Sequence, residues 1–181
     1  MSEQLAWAQW WALPWKSAHT DWALKDNYAR PDVVCLPLHA QISTTLNIQP
    51  CPPPAPHATV LRLALASQEQ LERMLSLLNH TCQLSLDNSL SGSEHLWCLR
   101  LSKALNPEAL LFADDDPLQL LRAWVDPAVW QRLRLRFSSQ RVVRLEHKPR
   151  VQEDAHSRLD TLWQAIVWRI TTPPHEESQP S

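Results

Sequence analysis

Imidazole, thiol and clustered carboxylate are the groups that could do chemistry in this chain, and it carries eight histidines, four cysteines and one run of three aspartates. The histidines stand apart, at His19, His39, His57, His80, His95, His147, His156 and His175. His19 with Asp21, or His156 with Asp160, could act as an acid–base pair, but either spacing more readily serves a cap or a surface pair. Cys35 with His39 and His95 with Cys98 have same-face helical spacing, but two half-sites this far apart do not make a zinc signature. The cysteines, Cys35, Cys51, Cys82 and Cys98, form no CxxC pair, which suits reduced thiols better than a disulfide framework. Asp114, Asp115 and Asp116 could hold a divalent ion or pair with arginine, although such a run more often caps a helix and meets water. No nucleophile, base and oxyanion stabiliser converge by spacing, so no catalytic, metal or cofactor residue is assigned.

Composition narrows the class further. With 181 residues and 44% hydrophobic content, the chain can enclose a core. Net charge is −2 and the pI about 6.4, so bulk electrostatics gives no reason to expect nucleic acid or an anionic membrane as partner. No apolar run approaches the length of a membrane span, and MSEQLAWAQWW lacks the basic start of a secretory signal, which points to the cytoplasm. The single glycine, Gly92, argues against phosphate-cradling loops, dinucleotide folds and a GxSxG elbow, each of which needs glycine at fixed places. One glycine beside fifteen prolines also argues against a sheet-rich fold. The expectation is an all-α protein of helices joined by Pro-started turns.

The stretch from Asp126 to Glu146, DPAVWQRLRLRFSSQRVVRLE, organises the reading. Asp126 can cap a helix that Pro127 opens, with Val129, Trp130, Leu133 and Phe137 on one face. Ser138 and Ser139 read as a break and a new cap before Val142, Val143 and Leu145. The picture is two short helices, apolar beneath and basic above, with Arg132, Arg134, Arg136, Arg141 and Arg144 as the charge. Leu133, Leu135 and Phe137 alternate with Arg132, Arg134 and Arg136 at the period of a half-buried strand. The Asp-Pro start and the adjacent Val129 and Trp130 decide for helix.

Around that stretch, residues 1–172 are expected to form one helical domain and 173–181 a disordered tail. Within it, 1–49 is a Trp-rich segment unable to fold alone, 50–56 a Pro-rich connection and 57–172 the helical core. Leu5 to Leu13 can be a helix that Pro14 stops, and Trp7, Trp10, Trp11, Trp15 and Trp22 pack over the core as a lid or serve as interface anchors. Tyr28 to Pro37 reads as extended or turn. Ser67 with Gln70 matches a capping box before Leu71, Met74, Leu75 and Leu78. Thr81 to Ser93 reads as a loop, and Leu96, Trp97, Leu101 and Leu105 as the next helix. Asn106-Pro107, Asp116-Pro117 and Asp126-Pro127 each look like a helix cap followed by a first residue. Leu159, Leu162, Trp163, Ile166, Val167 and Ile170 form one wide apolar stripe, the mark of a core helix.

The run from Val129-Trp130-Gln131-Arg132 to Glu146, a helix start followed by LRLRF, a short break and RVVRLE, resembles the C-terminal signature of the SctK family of type III secretion proteins, which includes YscK, PscK and HrpD. The final LDTLWQAIVWRI is similar to that family's closing tryptophan-bearing helix, and Tyr28, Pro31 and Pro37 loosely match its N-terminal Tyr-x-x-Pro and Leu-Pro motifs. The resemblance implies a non-catalytic adaptor of the injectisome's cytosolic sorting platform. It would link the forkhead-associated domain of the inner-membrane ring protein SctD to the SctQ pods, and through them to SctL and the SctN ATPase. Under that reading the basic surface of Arg132, Arg134, Arg136, Arg141 and Arg144, or the acidic run Asp114 to Asp116, meets a partner by complementary charge. Alternatively, several of these arginines cap carbonyls or cover core edges with their stems. A helical nucleic-acid binder using the Arg132–Arg144 cluster is the other class, and the acidic pI weighs against it.

Overall fold

The computed structural model describes residues 2–22, 36–83, 90–107, 110–111, 115–148 and 156–172. Among them there are nine α-helices and no strand, so the protein is all-α. In chain order these are α1 (Glu3–Ala12), α2 (Leu36–Thr45), α3 (Ala58–Leu65), α4 (Gln68–Gln83), α5 (Gly92–Leu105), α6 (Leu118–Trp124), α7 (Pro127–Leu133), α8 (Ser139–Glu146) and α9 (His156–Thr171). Single 3₁₀ turns, Pro14–Ser17 and Arg134–Arg136, follow α1 and α7.

Local chemistry sets the ends. Ser2 accepts a hydrogen bond from the Leu5 amide at the start of α1, and Pro14, lacking an N–H, stops that helix and opens the 3₁₀ turn. The Ser67–Gln70 box forms reciprocally: the Gln70 amide donates to Ser67 Oγ at 3.1 Å, and the Ser67 amide to Gln70 Oε1 at 2.9 Å. A second box, unforeseen in the sequence, starts α5, with Ser91 and Glu94 exchanging the same bonds. Asn106 ends α5 at φ 45°, in the left-handed region that asparagine tolerates.

α9 is the central post, packed against α3, α4, α5 and α6. Of the predicted stripe Leu159, Leu162, Trp163, Ile166 and Val167 are buried, and Ile170 is partly buried against them. They join a continuous core running from Trp7, Trp10 and Trp11 through Leu63, Met74, Leu77 and Leu118 to Val167. Each such aliphatic side chain contributes roughly 1.5–3 kcal/mol on burial. A satellite cluster of Trp15, Ile42, Leu46 and Ile48 gathers on Leu135. Trp7 and Trp11 also donate their indole N–H groups to Pro54 O and Cys51 O, at 2.9 and 3.0 Å. The Pro-rich connection is thus strapped onto α1, and the tryptophans are lid rather than free anchors.

Several expectations are corrected. Thr81 and Cys82 belong to α4 and are buried, and Gly92 begins a helix, so both ends of the expected loop from Thr81 to Ser93 are helical instead. Leu36 and Pro37 open α2 instead of closing an extended segment, because proline fits a first helical turn. Leu96 is exposed, and α5 buries Glu94, Cys98 and Ser102 instead. Phe137 lies beyond the 3₁₀ turn, in extended backbone, although it is buried. The three Asx-Pro pairs differ in role: Asn106 terminates a helix, Asp116 Oδ1 accepts from the Leu118 amide at 2.9 Å, and the Asp126 side chain makes no cap bond. Tyr28, Pro31, Cys35, Asp114 and the tail 173–181 lie outside the described residues.

Candidate functional site

Two features collect polar side chains: the arginine stretch, and a cavity beside α9. In the arginine stretch the expected basic face does not form. Arg132, Arg134 and Arg136 are only 4%, 8% and 7% exposed, and each reaches inward to the C-terminal end of a different helix. Arg132 donates to Trp11 O in the last turn of α1 at 3.1 Å, to Ala128 O at 2.9 Å and to Gln49 O at 3.3 Å, with its guanidinium 3.9 Å from the Trp11 ring centroid. Arg134 donates to Leu46 O, just past α2, at 2.7 Å, and its Nη1 meets both oxygens of Glu146 at 2.9 Å. Arg136 donates to Ala64 O at 2.8 Å and to Ala66 O, the closing carbonyls of α3.

The physical reason is the helix end. The last four carbonyls of a helix lack intrahelical donors and carry the negative pole of its dipole, so a cation there satisfies both. A guanidinium offers five N–H groups in a fixed plane and can serve several carbonyls while its stem covers apolar surface. Burial lowers the pKa of Arg132 and Arg136 from the ordinary arginine value, and arginine remains a cation at neutral pH regardless.

Arg141 and Arg144 differ. Arg141 pairs bidentately with Asp116, at 2.7 and 2.8 Å, and lies 3.6 Å from Glu72. Desolvation pulls its pKa down, but the bonds and charges of Asp116 and then Glu72 outweigh that and raise it overall. Asp115 pairs with Lys148 at 2.8 Å. The described part of the acidic run therefore does meet a member of the arginine cluster, within the molecule. Of the five arginines only Arg144 is exposed, beside exposed Val143 on α8, and its Nε donates to Gln140 O of its own helix at 3.3 Å. With three of five cations buried on carbonyls, the stretch offers no continuous basic strip to a phosphate backbone.

The cavity, of about 680 Å³, is lined by Trp7, Val60, Trp124, Val125 and Val129 together with Asp126, Asp160, His57, His156 and Ser157. Asp160 Oδ1 accepts the Trp124 indole N–H at 3.2 Å and lies 3.8 Å from His57 Nε2, while Gln164 holds Oδ2 at 2.7 Å. His57 meets Trp124 edge to face at 5.7 Å. The imidazole paired with Asp160 is thus His57, 103 positions earlier in the chain, and not His156, four positions earlier. The cavity draws on α1, the Pro-rich connection, α3, the α6–α7 turn and α9, so no local spacing signals it. The His19–Asp21 pair, at 3.4 Å, is a local surface contact. No group of three His, Cys, Asp or Glu side chains able to hold a metal occurs among the described residues, and no helix among them is long and apolar enough to cross a membrane.

Fold and arginine stretch together define an all-α scaffold whose N-terminal helices are fastened to its C-terminal third by buried cations. No family model, curated protein or solved structure matches the chain.

Proposed function

We propose that the protein is a non-catalytic adaptor of a type III secretion sorting platform, of the SctK kind, acting at the cytoplasmic face of the inner membrane between the SctD forkhead-associated domain and SctQ. The observation that carries this reading is that the segment with the family-like signature, Val129 to Glu146, is also the hub that fastens α1, α2 and α3 through Arg132, Arg134 and Arg136. A signature used this way marks a shared scaffold, which is what an adaptor of constant shape requires. The contact surface then falls to outward residues, first among them Arg144 with Val143 on α8, an apolar and cationic pair suited to an acidic rim on a partner.

A tagged copy of the full chain, pulled from its native host and analysed by mass spectrometry, tests the reading. Recovery of a forkhead-associated ring protein or an SctQ homologue, reduced by Arg144→Glu in a protein that still folds, is the expected outcome. Recovery of neither overturns it.

A further inference from the structure

The cavity beside α9 is not used by the adaptor reading and does not depend on it. Its volume of about 680 Å³ lies within the range of small-ligand sites, and its lining divides into an apolar part and a polar part, as such sites do. Val60, Val125 and Val129 with the indoles of Trp7 and Trp124 form the apolar wall. Asp126 and Asp160 supply two carboxylates from different elements; the basic groups among the described lining residues are the imidazoles of His57, 3.8 Å from Asp160, and His156, with no lysine or arginine. Asp126 is free of the capping bond its position invites, so its carboxylate is not committed to the helix it precedes. Asp160 is the opposite case: the Trp124 indole and the Gln164 amide hold it in one place, and it keeps access to solvent. A fixed carboxylate and an uncommitted one beside an apolar wall together select a cation with an apolar stem.

We propose that this cavity binds an organic cation, a guanidinium or primary ammonium, carried on a short apolar stem. The head lies between Asp126 and Asp160 and the stem lies against Val60, Val125 and Val129. An arginine or lysine side chain of another polypeptide and a free alkyl cation share this chemistry.

The test is a titration of the full-length protein followed through its tryptophan indole N–H resonances, with the Trp124 signal assigned by Trp124→Phe. The probes are n-butylguanidinium, its neutral counterpart n-butylurea, and the capped peptides acetyl-Leu-Arg-Leu-amide and acetyl-Leu-Gln-Leu-amide. The cations are expected to shift the Trp124 indole saturably and the neutral probes to leave it in place. Asp126→Asn and Asp160→Asn, which keep an acceptor oxygen, are each expected to weaken cation binding about tenfold or more. A peptide that binds well ahead of n-butylguanidinium identifies the occupant as a polypeptide side chain, and equal binding identifies a free cation. Equal response to the neutral probes, unchanged affinity in both folded variants, or no response to either cation at tens of millimolar overturns the proposal. The neutral comparison in the unaltered protein keeps it falsifiable even if a variant does not fold.

Discussion

Replacing Arg136 by alanine leaves Ala64 O and Ala66 O in a closed interior without their donors, since the guanidinium serves both. Bonds from a charged donor are worth more than neutral ones, and the stranded carbonyls add their desolvation penalty, so the expected loss is roughly 3 kcal/mol in urea unfolding. Arg144→Ala, at an exposed site, is expected to stay within about 0.5 kcal/mol in the same measurement. Equal losses in the two variants would refute the helix-end role. Thiols follow the same logic of enclosure. Burial pushes the Cys82 thiol up to about 12 and raises Cys98 as well, whereas Cys51 is only partly covered. Iodoacetamide on the native protein is therefore expected to label Cys51 well before Cys82 and Cys98, as read by peptide mass mapping. At this scale the sequence shows which residues are charged but not where they point. The alternation of Arg132, Arg134 and Arg136 has the period of a strand face, whereas a helix puts only Arg132 and Arg136 on one flank. Their inward course depends on carbonyls 121, 88 and 72 positions away, which no local pattern contains.

Helix starts were the most legible feature, because a cap is local. The Ser67–Gln70 box and the stripes of α4 and α9 could be read directly, while the Ser91–Glu94 box was hidden by Gly92, read as loop. Gly92 has an ordinary φ and open space where a side chain would begin. Gly92→Ala is accordingly expected to stabilise the protein by about 0.4–1 kcal/mol, chiefly by restricting the unfolded chain. A clear loss in thermal unfolding would mean that the start of α5 depends on glycine after all. Glu94 gives α5 a pH dependence. Burial raises its pKa, but the bonds from Ser91 and Arg73 overcome that and leave it below the ordinary carboxylate value. A depressed folded pKa means stability that is present above about pH 4.5 and lost as pH falls through the folded value. Glu94→Gln should thus lie below the unaltered protein in Tm at neutral pH and converge with it as acid is added. A gap that stays constant with pH would show that the carboxylate charge contributes nothing.

Across the whole molecule, the Trp-rich start and the C-terminal third share one core, from Trp7 to Val167. Residues 1–57 made alone are expected to show no cooperative thermal transition, and to gain helical circular dichroism when mixed with 58–181, because Arg132 and Arg134 then reach α1 and α2. A cooperative transition in the isolated fragment would show that the start carries a core of its own. The all-α class was legible from one glycine, fifteen prolines and the helical stripes. The cavity was not, since it exists only once five separate segments have met.

The spacing of the arginine grips also sets a schedule for synthesis. A chain leaves the ribosome from its N-terminus, so the Trp11 carbonyl waits for the 121 residues that separate it from Arg132 before it gains that donor. At ordinary translation rates this interval is on the order of ten seconds. Until then Trp7, Trp10 and Trp11 have only part of their final surroundings, the Pro-rich connection, α3 and α4, and the side of the core built by α6 to α9 is still missing. The Ala64–Arg136 loop, at 72 residues, is the shortest of the three and costs the least chain entropy to close.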